Sequence, residues 1–259
     1  MTDLLNEIIA VKKKEVSLRK ERISLDGLMK LSPEIPRSFL PNLAQTGLSV
    51  IAEIKRKSPS AGLIRNNFDP ARIAAIYEEN GAAAVSVLTD ESFFGGSDEF
   101  VHQVKNQIRL PVLRKEFIID PYQIYESRAV GADIILIIVR ILDADTVTEF
   151  IETARDLDMA ALVEVHSLSE LEVAEDAGAE IIGINNRDLD TLKIDLNMSL
   201  RLKDKMKSNA FIISESGIRS RRDMEMLETA GFHGVLIGET LMRSEDMGRT
   251  LRMLKGADV

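Results

Sequence analysis

Residues 131–139 read Gly131-Ala132-Asp133-Ile134-Ile135-Leu136-Ile137-Ile138-Val139. A glycine able to take the left-handed conformation that ends a helix stands just before an unbroken apolar run. The run has the length of a strand, and strands buried on both faces are apolar throughout. The same unit recurs along the chain. Gly81-Ala82, Gly178-Ala179 and Gly231-Phe232 also separate a helical pattern from an apolar run. Such runs occupy residues 50–54, 83–88, 111–113, 134–139, 161–165, 181–184, 211–213 and 235–237. Their spacing is roughly 20 to 35 residues, which suits one strand–helix unit each. Asp69-Pro70 and Asp120-Pro121 give the opposite punctuation, a helix cap followed by Pro at the first helical position. Eight such units predict an α/β protein, a (β/α)8 TIM barrel. The alternative is an open doubly wound sheet, but neither a G-x-G-x-x-G nor a Walker glycine loop is present.

The 259 residues fit one barrel domain, 1–259, with residues 1–46 as an extra N-terminal helical segment. Residues 3–20 read as an amphipathic helix through Leu4, Ile8, Val11 and Leu18. Its lysines Lys12, Lys13 and Lys14 read as a solvated face. Pro33, Pro36 and Pro41 mark an extended connector. The formal charge of −9 argues against a nucleic-acid partner, which would require a basic face. No signal pattern opens the chain, and the longest apolar run is too short for a bilayer. A cytoplasmic protein without a membrane partner is expected. The absence of cysteine excludes disulfides, thiolate metal sites and cysteine nucleophiles. The histidines His102, His166 and His233 fit no metal spacing, so no metal and no cofactor are expected.

Polar residues collect at the C-terminal ends of the apolar runs, where functional residues of such barrels sit. In the first run Ile51, Glu53 and Lys55 share a face by alternation, and Glu53 and Lys55 are expected to point into the barrel. A buried ion pair there is a poor route to stability, so function is the better reading. The third run continues Leu113-Arg114-Lys115-Glu116-Phe117, where parity alone does not choose between Lys115 and Arg114. The fifth places Leu162, Glu164 and His166 on one face, the sixth Gly183, Asn185 and Arg187, and the seventh ends Glu215-Ser216-Gly217. Ser216-Gly217-Ile218 and Gly238-Glu239-Thr240 fall in the two loops where barrels commonly bind phosphate. The Glu239 side chain is expected to turn away from an anion there.

Taken together these segments resemble indole-3-glycerol phosphate synthases. The resemblance rests on Ile51-Ala52-Glu53-Ile54-Lys55-Arg56-Lys57-Ser58-Pro59-Ser60, on Leu88-Thr89-Asp90 with Phe93-Phe94-Gly95-Gly96-Ser97, and on Leu113-Arg114-Lys115-Glu116-Phe117 running on to Ile124. It continues through Leu162-Val163-Glu164-Val165-His166, Gly183-Ile184-Asn185-Asn186-Arg187-Asp188-Leu189, Ser214-Glu215-Ser216-Gly217-Ile218 and Leu236-Ile237-Gly238-Glu239. Glu116 stands where Asp is common in the family, which keeps the charge. The N-terminal helix resembles the family's extra segment over the barrel mouth.

The resemblance implies a carboxy-lyase of tryptophan biosynthesis acting on 1-(2-carboxyphenylamino)-1-deoxyribulose 5-phosphate. It implies Lys115 as general acid, Glu164 as base and Lys55, held by Glu53, as the partner of the substrate carboxylate, with the division of acid work between the two lysines left open. Asn185, Arg187 and Glu215 would position these groups. Phe94 and Phe117 would hold the aromatic ring, and Ser58, Ser216, Gly217 and Gly238 the phosphate. The partner is a small phosphorylated molecule, and a monomer is expected. Two rival readings are a phosphosugar isomerase on the same barrel and a non-catalytic phosphate-binding barrel.

Overall fold

The computed structural model describes residues 3–31, 34–188 and 191–257. Pro33 and Leu189 lie outside the described residues. Eight parallel strands close into a barrel. They are β1 (Ser49–Ile54), β2 (Ala84–Leu88), β3 (Val112–Lys115), β4 (Ile134–Ile138), β5 (Ala160–Val165), β6 (Ile181–Asn185), β7 (Phe211–Glu215) and β8 (Gly234–Ile237). Each pairs with its sequence neighbours, and β8 closes on β1 through Val50 opposite Val235. This is the expected (β/α)8 fold.

The helices are α1 (Asp3–Arg22), α2 (Leu25–Lys30), α3 (Leu40–Leu43), α4 (Pro70–Glu79), α5 (Glu91–Phe94), α6 (Asp98–Gln107) and α7 (Tyr122–Ala129). They continue with α8 (Ala144–Asp156), α9 (Leu168–Asp176), α10 (Asn197–Lys203), α11 (Arg221–Thr229), α12 (Glu239–Met242) and α13 (Met247–Lys255). The four glycines that end helical patterns, Gly81, Gly131, Gly178 and Gly231, all have positive φ, which an L side chain adopts only with strain. Asp69 caps α4 by accepting from Arg72 N, with Pro70 at the first position. At Asp120-Pro121 the helix starts at Tyr122, and the Asp120 carboxylate accepts from Tyr122 N at 3.0 Å.

Two apolar layers hold the barrel. The outer layer lies between strands and helices and includes Val50, Val85, Ile135 and Val163. The inner layer fills the barrel itself with Ile51, Leu113, Leu136, Leu162 and Ile213. Arg114 belongs to the outer side. It is fully buried and pairs with Asp98 at 2.7 Å and Glu126 at 2.8 Å, which leaves Lys115 pointing inward.

The N-terminal segment divides between the two ends of the barrel. Arg19 on α1 reaches Glu126 at 2.8 Å, and Lys12 reaches the loops after β2 and β3 at the mouth. Phe39 and Leu43 instead plug the opposite end, against the inner layer. The solvated reading of the lysine run requires correction. Lys13 and Lys14 are exposed, but Lys12 is 1% exposed and sits between Asp90 (2.8 Å) and Glu116 (3.1 Å). Leu18, expected on the apolar stripe, is exposed, and Val16 is buried in its place. Helical spacing marks a face but not the charges that await it across the interface.

Candidate active site

The top layer of the barrel interior consists of ionisable groups. Glu53 on β1, Lys115 on β3, Glu164 on β5 and Glu215 on β7 come from alternate strands, the way side-chain layers form in such barrels. Lys115 Nζ lies 2.7 Å from Glu215 Oε2, 3.6 Å from Glu164 Oε2 and 4.0 Å from Glu53 Oε2. Lys55, one turn of the pleat above Glu53, hydrogen-bonds to Glu53 Oε1. Asn185 on β6 donates to Glu164 Oε1 at 3.2 Å.

Two glycines make room for this layer. A Cβ on Gly183 would stand 2.1 Å from Glu215 Oε1, and a Cβ on Gly238 would stand 2.1 Å from Glu53 Oε1. Both contacts involve the ends of flexible side chains, so an added methyl would move a carboxylate rather than the barrel. Gly183→Ala is therefore expected to keep the fold, with a melting temperature near that of the wild type. It should draw Glu215 off Lys115 and lower kcat by about 10-fold or more. Wild-type kcat in a folded Gly183→Ala protein would show that the Glu215–Lys115 contact is dispensable.

The electrostatics follow from burial and from this geometry. Burial opposes ionisation of Glu53, but Lys55 and Lys115 outweigh it and hold the carboxyl below its ordinary pKa. Glu164 is likewise opposed by burial and held low by Lys115, His166 and Asn185. Burial pushes Glu215 up to about 7; Lys115 resists and Glu164 reinforces that rise. Burial would strip the proton from Lys115, but Glu215, Glu164 and Glu53 together raise its pKa well above the usual lysine value. Lys115 is thus a charged donor beside an ionised carboxylate, Glu164.

A cavity of about 570 Å³ opens above the layer. Its apolar wall includes Phe94, Phe117, Leu136 and Ile138. The Phe94 and Phe117 rings lie 6.0 Å apart. Ser216, Gly217, Gly238 and Arg187 line the far side. Ser216 and Gly217 both have positive φ. Asn186 pins this loop, donating to Glu215 O at 2.9 Å and Ser216 O at 3.1 Å.

A sequence model describing indole-3-glycerol phosphate synthase matches residues 5–254. The chain belongs to the indole-3-glycerol phosphate synthase family. A synthase of that name from Carboxydothermus hydrogenoformans is 44% identical, covering 96% of this chain and 98% of the relative. One from Legionella pneumophila strain Paris is 45% identical, covering 98% and 99% respectively. Among solved structures, 3-hexulose-6-phosphate synthase from Salmonella typhimurium aligns with a TM-score of 0.66 at 15% identity, over 81% of this chain and 97% of that one. Thiamine phosphate pyrophosphorylase from Pyrococcus furiosus gives 0.62 at 15%, over 84% and 96%. At that identity the likeness concerns the fold alone.

Within this family member, most of the residues singled out from the sequence surround one cavity. Ser58 does not line it. Its Oγ accepts from Ala61 N at 3.2 Å, inside a small hairpin formed by Lys57–Ser58 and Gly62–Leu63. Glu239 does line the cavity, but its carboxylate is drawn aside by Arg243 at 2.9 Å and Arg187 at 3.8 Å. Sequence reasoning missed Arg219 and Arg243, which line the same side as Gly217 and Gly238. Their signal was available: Arg219 closes the segment Ser216-Gly217-Ile218-Arg219, and Arg243 stands one helical turn beyond Glu239. It also missed Lys12, which fixes Glu116 between Lys115 and Phe117. Burial pushes the Glu116 carboxyl up, and Lys12 and Arg114 pull against that rise.

Proposed function

We propose that the layer of Glu53, Lys115, Glu164 and Glu215 carries out the ring closure of an indole-3-glycerol phosphate synthase. The substrate is 1-(2-carboxyphenylamino)-1-deoxyribulose 5-phosphate, and the products are indole-3-glycerol phosphate, carbon dioxide and water. The observation that carries the reading is the Lys115 ammonium within 3.6 Å of the Glu164 carboxylate, under one cavity.

Phe94 and Phe117 offer the anthranilate ring an apolar wall. Lys55, oriented by Glu53, meets the ring carboxylate. Backbone at Ser216, Gly217 and Gly238, with Arg219 and Arg243 nearby, receives the phosphate; Ser58 remains part of the hairpin. Held at both ends, the flexible chain brings its ketone carbon against the ring carbon that bears the carboxylate. As that bond forms, the ketone oxygen becomes an alkoxide. An alkoxide is a stronger base than an amine, so Lys115 gives up its proton there despite its raised pKa. Carbon dioxide leaves and the ring regains its electrons. The new hydroxyl then departs as water after a second protonation, and Glu164 takes the ring proton that restores aromaticity. Lys55 and Lys115 are both placed to serve the second protonation.

One chain supplies every group of the layer, which supports a monomer as the working unit. A phosphate ester does not cross a bilayer unaided, which supports a cytoplasmic setting with its substrate. Among the described residues no helix is long and apolar enough to cross a membrane.

The test is direct, because the chain contains no Trp and its own fluorescence is dark in the indole window. Addition of the carboxyphenylamino substrate should produce indole fluorescence at a rate proportional to protein. A phosphosugar isomerase would instead turn over the isomeric aminoaldose and leave this substrate untouched, and that result would displace the proposal.

A further inference from the structure

Glu164 presents two oxygens to two different environments. Oε2 faces Lys115 at 3.6 Å. Oε1 is held from behind by Asn185 Nδ2 at 3.2 Å and by His166 Nε2 at 3.3 Å. His166 is 5% exposed and faces a second carboxylate with its other nitrogen, Nδ1 lying 3.3 Å from Glu170 Oε2. Glu170, on α9, also accepts from His166 N at 2.7 Å, so the backbone and the ring of one residue grip the same oxygen. The other Glu170 oxygen accepts from Arg140 Nε at 3.0 Å. Arg140 lies in the short 3-10 turn after β4 (Val139–Ile141).

The result is a row of polar contacts from the reaction layer to the barrel rim: Lys115, Glu164, His166, Glu170, Arg140. Carboxylates only accept hydrogen bonds, so Nδ1 donates to Glu170, while Nε2 stands against Glu164 Oε1 without a formed hydrogen bond. The groups that face it are Glu164 on β5, which ends just before it, and Glu170 on α9, backed by Lys115, Asn185 and Arg140. Burial opposes ionisation of Glu170, yet contacts with His166 and Arg140 bring its pKa down to about 2. Glu170 therefore stays an anion and anchors the ring.

We infer that His166, locked by Glu170 and Arg140, is a positioning residue for the reaction: it fastens Glu164 Oε1 so that Oε2 is left, ionised, for the substrate proton. The inference rests on Glu164 being the base. A carboxylate on a flexible side chain is a good base only when one oxygen is held and the other is free and aimed. Asn185 supplies one neutral donor. His166 Nε2 closes on the same oxygen from the opposite side, which fixes the rotamer. The His166–Glu164 contact is long, as catalytic contacts commonly are before substrate tightens them.

The experiment compares wild type with His166→Ala, His166→Gln and Glu164→Gln, reading kcat, KM and the pH profile of kcat/KM, with thermal melting as the folding control. His166→Ala is expected to lower kcat by about 10-fold or more with KM within about 3-fold. The acid limb of its profile should move up by roughly half to one pH unit, because the carboxylate has lost a neighbour that helps to hold its pKa down. His166→Gln keeps an N–H donor but not the imidazole, so it should recover part of kcat while its acid limb stays displaced. It also guards against a His166→Ala protein that fails to fold. A folded His166→Gln enzyme with wild-type kcat and an unshifted limb overturns the inference. If that outcome accompanies a Glu164→Gln enzyme that is nearly inactive, the base stands and only the positioning role falls. Wild-type turnover in Glu164→Gln removes the base itself.

Discussion

Lys115→Ala lowers kcat by at least about 100-fold, the low end of what a general acid contributes. The expectation follows from the layer around it. Three carboxyl groups aim at one ammonium, at 2.7, 3.6 and 4.0 Å. Lys55 is engaged with Glu53, so it does not take over the vacated position without breaking that pair. The loss should appear in kcat and kcat/KM together, since the proton is given up as the ring closes and not when substrate binds. A pH-dependent stability change should accompany it. In the wild type, Glu53 and Glu164 have pKa values below those of the unfolded chain. Their contribution to stability is present above the unfolded carboxylate pKa and is lost as pH falls through the folded value. Lys115→Ala lacks its share of that contribution. The melting-temperature gap between wild type and variant should thus be widest at neutral pH and narrow below about pH 4. Turnover within 10-fold of wild type would take the acid role away from Lys115.

Glu164→Gln is the second large effect, again at least about 100-fold in kcat. The amide preserves the shape and still offers oxygen to Asn185, but it does not accept and hold a proton at neutral pH. KM should change little, because the cavity wall and the phosphate loop are untouched. The wild-type acid limb should lie below the ordinary carboxylate range, because Lys115, His166 and Asn185 overcome the effect of burial on this group. Accumulation of a ring-closed, decarboxylated but still hydrated intermediate in Glu164→Gln would place the base in the dehydration step. Equal loss before ring closure would assign it to an earlier step.

The fold was legible because its signals are local. Glycine after four of the helices, proline near helix starts and apolar runs in register with them each depend on a handful of neighbouring residues. Two of the places where strands outrun their apolar pattern are instructive. The apolar parts of the third and seventh runs stop at Leu113 and Ile213, and β3 continues to Lys115 and β7 to Glu215. Hydropathy stops where the charged layer begins, and the backbone ladder does not. Lys115 and Glu215 pair with each other there, 100 residues apart in sequence.

The candidate site was partly legible for the same reason. Polar residues at the ends of apolar strands stand out, so Glu53, Glu164 and Asn185 were visible. His166 stood out too, but not its partners. Glu170 reads as an ordinary helix-start acid and Arg140 as a loop residue, and only the docking of α9 beside the turn after β4 joins them. Ser58 had the right neighbours in sequence, yet the hairpin turns its hydroxyl onto Ala61 N.

By itself the sequence determined the alternation of eight strands with their helices and the residue types crowning each strand. Those properties come from backbone preferences and side-chain periodicity over a few residues. Tertiary structure decided which of Arg114 and Lys115 faces the interior, where Lys12 is buried, and which end of the barrel Phe39 and Leu43 close. Both faces of a barrel strand are dry, so hydropathy carries no mark of inside or outside. A charge can be buried only against partners that the closing of the barrel brings to it.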